Sequence, residues 1–252
     1  MKKLLAFILC AVMVLSFAGC ASFRPYEDIE ASGKLVVATN ATFPPYEYIE
    51  DDGSYAGIDI DIIKAVGEYL GLEVEIVNIE FDAIITSVST GKADLGIAGM
   101  TVTEDRLENV DFSDTYATGK QVIITASDSG ISGVADLAGK KVGVQTGTTG
   151  DIYASDDDTI GEVVQYDSGT EAVLALSQGK INAVIIDNEP AKKYIEKYDN
   201  LIIIDEEYTY EEYAMCIAKG NTELTAKINE ALDALEKSGA LQAIIDKYIK
   251  EN

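Results

Sequence analysis

The residues of this sequence able to engage a small molecule are amides, hydroxyls, rings and a few charges. Asn40, Phe43 and Gly99 in the first half, and Gln145, Thr148 and Asp187 in the second, supply hydrogen-bonding groups, an aromatic face and a carboxylate. Arg106 adds a planar fork able to make two parallel charge-assisted hydrogen bonds to a carboxylate. Glu104 and Asp105 beside it offer the plainer alternative of a surface ion pair. Asp187 reads equally as a helix cap or an ion-pair partner, and Gly147-Thr148-Thr149-Gly150 as ordinary helix capping. The 252 residues include no His, which removes Ser-His-Asp and Cys-His nucleophilic sets and His-ligated zinc or haem.

These residues stand at the ends of repeated elements. Ser89-Thr90-Gly91-Lys92-Ala93-Asp94 followed by Leu95-Gly96-Ile97-Ala98 is echoed by Ser177-Gln178-Gly179-Lys180-Ile181-Asn182 followed by Ala183-Val184-Ile185-Ile186. Each copy is a helix end, a turn and a strand, and Gly99 and Asp187 both lie eight residues past the turn glycine. The stretch from Lys34 to Asn40, then Phe43, is answered by Lys141 to Thr146, then Thr148. Two similar α/β units are implied. Ligand crevices in open parallel sheets form at the carboxyl ends of the strands, so facing units would enclose Asn40, Phe43, Gly99, Gln145, Thr148 and Asp187.

The wider pattern agrees with that class. Short β-rich apolar runs fall at 35–38, 74–77, 95–98, 121–125, 141–144, 183–186 and 201–204. Between them Ile62, Ile63, Val66 and Leu70 recur at helical spacing before Gly71, and Ser168-x-x-Glu171 is a capping box opening a helix that ends at Gly179. The tail carries two helical stripes: Leu224, Ile228, Leu232 and Leu235, then Leu241, Ile244, Ile245 and Tyr248. Such alternation predicts an α/β fold with largely parallel sheets.

Composition narrows the partners. Nineteen Lys and Arg against 44 Asp and Glu give a net charge of −25, which opposes binding to a phosphate backbone, so no nucleic-acid partner is expected. Lys2 and Lys3 precede an apolar stretch too short to span a bilayer comfortably, followed by Ala18-Gly19-Cys20. Residues 1–19 therefore read as an export signal. The small pair before a cysteine resembles a lipoprotein signal, which would make Cys20 the lipidated first residue, although Phe17 stands where Leu is usual. Plain secretion with cleavage nearby is the alternative. Loss of Lys2 and Lys3 deepens the charge to −27. Cys216 is then the lone remaining thiol apart from the lipidated one, in an apolar run that predicts burial. The acidic clusters at 156–158 and 206–212 read as solvated surface, and the first lacks the ligand spacing of a calcium loop, so no metal is expected.

Local sequences carry a resemblance. Gly99-Met100-Thr101-Val102-Thr103-Glu104-Asp105-Arg106, continuing to Val110-Asp111-Phe112-Ser113-Asp114-Thr115-Tyr116, resembles the signature of bacterial solute-binding protein family 3, the polar amino-acid receptors of ABC importers. Phe43-Pro44-Pro45-Tyr46, Gly57-Ile58-Asp59-Ile60-Asp61, Gly143-Val144-Gln145-Thr146-Gly147-Thr148-Thr149 and Asp187-Asn188-Glu189 match in order, and the likeness runs from about Ile29 to the end. It implies a two-lobed periplasmic-binding-protein-like (type II) fold, each lobe a mixed, mainly parallel sheet flanked by helices. A tether would occupy 20–28, lobe 1 residues 29–117 and 214–252, and lobe 2 residues 118–213, with hinge crossings near 116–120 and 213–215.

The resemblance also implies roles. Arg106 would hold the ligand carboxylate, helped by Thr101, Thr148 and Thr149; Asp187 would accept from the α-ammonium and Gly99 would offer backbone to it. Phe43 and Phe81 would sandwich the side chain. Thr101 is ambiguous, since Thr101-x-x-Glu104 also fits a capping box, and Phe81 without the match would read as core. Tyr46, Asp59 and Asp61 are assigned mainly to structure, with Asp59 a candidate rim residue. Asn40, where relatives often carry Asp, and Gln145 suggest a neutral lining and hence a polar uncharged amino acid. The expected protein is a lipid-anchored monomer, with no cofactor, that delivers its ligand to an ABC permease. A dehydratase-like enzyme using Glu171 or Glu189 as general acid, or a chemosensory ligand presenter, are the alternatives.

Overall fold

The computed structural model of the chain describes residues 23–250. The export signal and Cys20 lie outside the described residues. The tether expected over 20–28 is overrun by a helix, Tyr26–Ser32, because Tyr26 and Ile29 bury in the first lobe's core.

Two five-stranded sheets form the frame, and they are built alike. In lobe 1 the order is Glu73–Asn78, Lys34–Thr39, Leu95–Gly96, Cys216–Ala218 and Val110–Phe112. The first three run parallel, and Cys216–Ala218 is antiparallel to both its neighbours. In lobe 2 the order is Glu162–Tyr166, Lys141–Gln145, Ala183–Asp187, Ala117–Ala126 and Leu201–Tyr213. Here too the first three are parallel and the fourth is antiparallel to both sides. The repeated sequences thus occupy the same place in each sheet: Leu95–Gly96 and Ala183–Asp187 are both third strands. A small three-stranded antiparallel sheet, Thr42–Phe43, Glu47–Ile49 and Tyr55–Ala56, follows the first strand.

Local rules account for the helices. Helix Ile58–Leu70 turns Ile58, Ile62, Ile63 and Val66 into the lobe 1 core and stops at Gly71, whose φ of 71° is the left-handed conformation that ends helices. Helix Gly169–Ser177 starts at Ser168, whose hydroxyl accepts from the Glu171 N–H at 3.3 Å. Helices Thr222–Ser238 and Ala240–Tyr248 lay their stripes on lobe 1, Leu224, Ile228 and Leu232 being buried there with Leu241, Ile244 and Ile245 packed against them. Cys216 is fully buried, and burial pushes its thiol up to about 12, which suits an inert core residue.

Two strands connect the lobes. Ala117–Ala126 and Leu201–Tyr213 pair antiparallel through Ala117↔Tyr213 to Gln121↔Thr209, and again from Ile123↔Ile204, with a register shift between. Tyr213 also bridges to Thr101 of lobe 1. A paired ribbon of this kind is a hinge: its few residues can absorb a rotation while the sheets stay rigid.

Candidate functional site

The carboxyl ends of the parallel strands face each other across this hinge. Lys34–Thr39 leads into Asn40 and Phe43, Leu95–Gly96 leads to Gly99 and Thr101, and Lys141–Gln145 leads to Gln145, Thr148 and Thr149. Together with Phe81 and Arg106 these residues line a narrow cavity of about 20 Å³, room for about one water. The structure therefore brings Asn40, Phe43, Phe81, Gly99, Thr101, Arg106, Gln145, Thr148 and Thr149 to one place. Asp187 is not on that lining. It caps helix Asn188–Ile195, Oδ1 accepting from the Glu189 N–H at 3.2 Å, while its Oδ2 has no hydrogen-bond partner among the described residues.

Arg106 is the cation of the cavity. Its guanidinium is buried, donates from Nη1 to the Thr101 carbonyl at 2.7 Å and from Nη2 across the cleft to the Gly147 carbonyl at 3.0 Å, and lies 5.3 Å from the centre of the Phe81 ring. Burial lowers its pKa and the charge of Glu211 opposes that shift. Phe81 serves two ends: it belongs to the core cluster of Ile84, Val88 and Met100, and it also lines the cavity, where the Arg106 guanidinium lies over its ring.

Polar neighbours are partly engaged with one another. The Gln145 amide donates to Asn40 Oδ1 at 3.0 Å across the lobes, and the Asn40 amide donates to the Ile79 carbonyl at 2.9 Å. Thr148 is the N-cap of helix Thr149–Asp156, accepting from Asp151 N–H and donating to the Gln145 carbonyl at 2.8 Å. Thr101 caps nothing: the cap of helix Glu104–Leu107 is Thr103, and the Thr101 hydroxyl instead donates to Glu211 Oε2 at 2.9 Å. The Gly99 N–H, expected to face a ligand, donates to Asp59 Oδ2 at 2.7 Å. Gly99 itself has φ 51°, in the left-handed region, and a Cβ there would meet the Phe43 ring at 3.1 Å, so both the turn and the close approach of the ring favour glycine.

Two carboxyls of the cavity escaped sequence reasoning. Glu211 belongs to the run read as solvated surface, yet it is 2% exposed, because alternation along Leu201–Tyr213 sends it inward beside Tyr213 while Tyr210 points out. Its Oε2 accepts from Thr101 and from the Gln121 amide at 3.1 Å, and its Oε1 has no hydrogen-bond partner among the described residues. Glu47 lines the cavity from the small sheet and meets the carboxyl of Asp59, which also accepts from Tyr116 at 2.8 Å. Asp59 is thus buried under the site, not on its rim. Burial, then the charge of Asp59, raises Glu47 well above the carboxylate range; burial likewise raises Asp187, with the nearby charge of Glu211 adding to it.

Asp59 makes a stability prediction. Burial raises its pKa from 3.8 to about 6, against the pull of its Gly99 and Tyr116 hydrogen bonds. The folded chain therefore keeps a proton that the unfolded chain releases, and stability falls as pH rises from about 4 to about 6. Measured by chemical denaturation, the stability of the wild type relative to Asp59→Asn should decline across that window and level off above it.

Residues 35–251 match bacterial extracellular solute-binding proteins, family 3, and the chain belongs to that family. It is similar to the L-arginine-binding protein of Pseudomonas aeruginosa, 33% identical over 98% of this chain and 96% of that one. Among solved structures, the arginine-bound form of truncated ArgBP from T. maritima superposes with a TM-score of 0.80 at 39% identity, covering 83% of this chain and 99% of that one. A substrate-binding protein of an ABC uptake transporter from Streptococcus pneumoniae with bound histidine gives a TM-score of 0.84 at 31% identity, covering 90% and 96%. These likenesses define the type II periplasmic-binding-protein fold and a solute-binding protein, not an enzyme. Of the two residues considered as a general acid, neither Glu171 nor Glu189 lines the cavity, and Glu189 is paired with Lys192 at 2.6 Å. Among the described residues no helix is long and apolar enough to cross a membrane.

Proposed function

We propose that this chain captures a free amino acid with a cationic side chain, L-arginine foremost, between its lobes outside the cytoplasm and delivers it to the permease of an ABC importer. Arg106, with the Thr101 and Thr148 hydroxyls and the start of helix Thr149–Asp156, would hold the α-carboxylate. Asp187, off the cavity lining but within electrostatic reach of Glu211, would take the α-ammonium once the lobes adjust around a ligand. Phe43 and Phe81 would sandwich the side chain. In this reading Cys20 carries the lipid that holds a monomer at the membrane.

The observation that carries the side-chain charge is Glu211, a buried carboxylate with an open oxygen at a cavity that holds one cation. A zwitterion needs Arg106 and one acid, and a further buried carboxylate without a counter-ion costs several kcal/mol. A guanidinium offers that counter-ion. Asn40 and Gln145, which favoured a polar uncharged ligand, bind each other across the cleft and so say less about the side chain. The arginine- and histidine-binding relatives support the same choice. Calorimetry against the twenty amino acids should find arginine at least tenfold tighter than glutamine; glutamine or asparagine as the tightest ligand would restore the uncharged reading.

A further inference from the structure

Four carboxyl groups are buried in or around a cavity whose lining holds one cation. Glu47, Asp59, Asp187 and Glu211 are each no more than 2% exposed, and Arg106 is the guanidinium beside them. Ionised together they would set four negative charges against one positive out of water, and an unpaired buried ion costs several kcal/mol. Glu47 and Asp59 meet beneath the site. The Asp59 N–H donates to the Tyr46 carbonyl at 2.9 Å, which brings the start of helix Ile58–Leu70 against strand Glu47–Ile49 and one carboxyl against the other. Asp59 Oδ2 already accepts from the Gly99 N–H at 2.7 Å and the Tyr116 hydroxyl at 2.8 Å. Its Oδ1 and both oxygens of Glu47 have no donor among the described residues. Lone pairs that face each other in such a place are stable only with a proton between them, so Glu47 carries one and donates it to Asp59. Also within electrostatic reach of Glu47 are Asp187 and the hydroxyls of Tyr46, Tyr116 and Tyr194, while Arg106, Glu211 and Tyr213 line the same cavity. Burial first, and the charge of Asp59 second, hold Glu47 well above the carboxylate range, in agreement with that proton.

We propose that Glu47 and Asp59 share one proton beneath the binding cavity and surrender it when a cationic side chain enters, so that capture of the ligand is coupled to proton release. The inference rests on the capture reading above and adds a residue to it: Glu47 lines the cavity and, once ionised, reads the positive charge together with Glu211. The step balances. The Glu47 O–H bond breaks, the proton passes to solvent, and the charge left on the carboxylate is matched by the guanidinium that arrives. A ligand with a neutral side chain brings no such charge and leaves the proton in place. Asp187, also raised by burial, would meet the α-ammonium common to every amino acid, so a proton lost there appears with neutral and cationic ligands alike. By linkage, a ligand that expels one proton binds up to about tenfold tighter for each unit of rising pH, between the pKa of the pair with the ligand and without it.

The test has two arms. Infrared difference spectra of the ligand-free chain at pH 7, wild type minus Glu47→Gln, should show the C=O stretch of an un-ionised carboxyl group. Calorimetry in two buffers of different ionisation enthalpy then counts protons. Between pH 6 and 8 L-arginine should release about one proton more than citrulline, and its affinity relative to citrulline should rise roughly fivefold or more. In Glu47→Gln the extra proton and the pH slope should vanish. Asp59→Asn serves if that variant misfolds: its amide oxygen can keep the Gly99 and Tyr116 bonds while its nitrogen gives Glu47 a donor in place of the shared proton. Absence of the carboxyl band, equal proton numbers for arginine and citrulline, or a pH slope that persists in the variants would overturn the proposal. The infrared arm needs no ligand, so a chain that shows the band but ignores arginine refutes the ligand assignment and leaves the shared proton standing.

Discussion

Arg106→Ala should weaken amino-acid binding by roughly 150-fold, about 3 kcal/mol, the scale for truncating one partner of a buried charge pair. The physical reason is the poverty of its surroundings. In the free protein its two hydrogen bonds go to carbonyl oxygens of Thr101 and Gly147, neither of which cancels its charge, and the nearby charge of Glu211 compensates it in part. A ligand carboxylate would replace the Gly147 contact with a charge-assisted pair in a site that excludes water. Arg106→Lys should recover only part of the loss, since an ammonium cannot reproduce the fork or its stacking on Phe81. The free variant should melt close to the wild type, because the carbonyls it releases face the cavity and water can reach them. Calorimetry and the ligand-induced rise in melting temperature read the effect. At a hundred times the wild-type Kd the ligand should stabilise the wild type by about 2.7 kcal/mol and the Ala variant by almost nothing. An affinity within threefold of wild type would remove Arg106 from the site.

Glu211→Gln should cost arginine about 2 kcal/mol, roughly thirtyfold, and cost glutamine far less. The substitution is nearly isosteric. The amide oxygen can take over the bonds from Thr101 and Gln121 that Oε2 now accepts, and the amide nitrogen replaces the oxygen that has no partner. Loss of charge is then the main change, which isolates the electrostatic part of specificity. The folded chain should not suffer. The charge of Glu211 is one cause of the raised pKa of Asp187, so removing it lets Asp187 ionise more easily and stability at neutral pH should hold or rise. Titrations with arginine and with its neutral isostere citrulline separate the cases. Equal losses for both would mean that Glu211 shapes the cavity without reading charge.

How much of this was visible beforehand depends on the range of the interaction. Helix Ile58–Leu70 and the Ser168 cap were legible because periodicity and capping are local. The repeat was legible because two copies of one strand-turn-helix unit keep their spacing, and the sheets place both copies in matching positions. The antiparallel fourth strand in each sheet was not, since strand direction depends on where the chain returns from, and in lobe 1 it returns after the whole of lobe 2. Glu211 was missed for a related reason. In Tyr210-Glu211-Glu212-Tyr213 neither face is apolar, so alternation gives no sign of which glutamate goes inward; pairing with Ala117–Ala126 decides it. Thr101 stayed ambiguous in the sequence because a local capping pattern competed with a partner 110 residues away; in the fold Thr103 is the cap and Thr101 lines the cavity.

The sequence by itself determined the class of the protein: the repeated units follow from short-range patterns, and the ordered motifs carry the family resemblance that put Arg106, Phe43, Phe81 and the threonines at the site, while a net charge of −25 without histidine removed nucleic acid and imidazole chemistry. Only the tertiary structure decided what surrounds Arg106. Burial of Glu211, Glu47 and Asp59 and the amide bond between Asn40 and Gln145 arise where two lobes meet, from residues far apart in the chain. Electrostatics in such a place depends on distance and exclusion of water, neither of which is written in residue order.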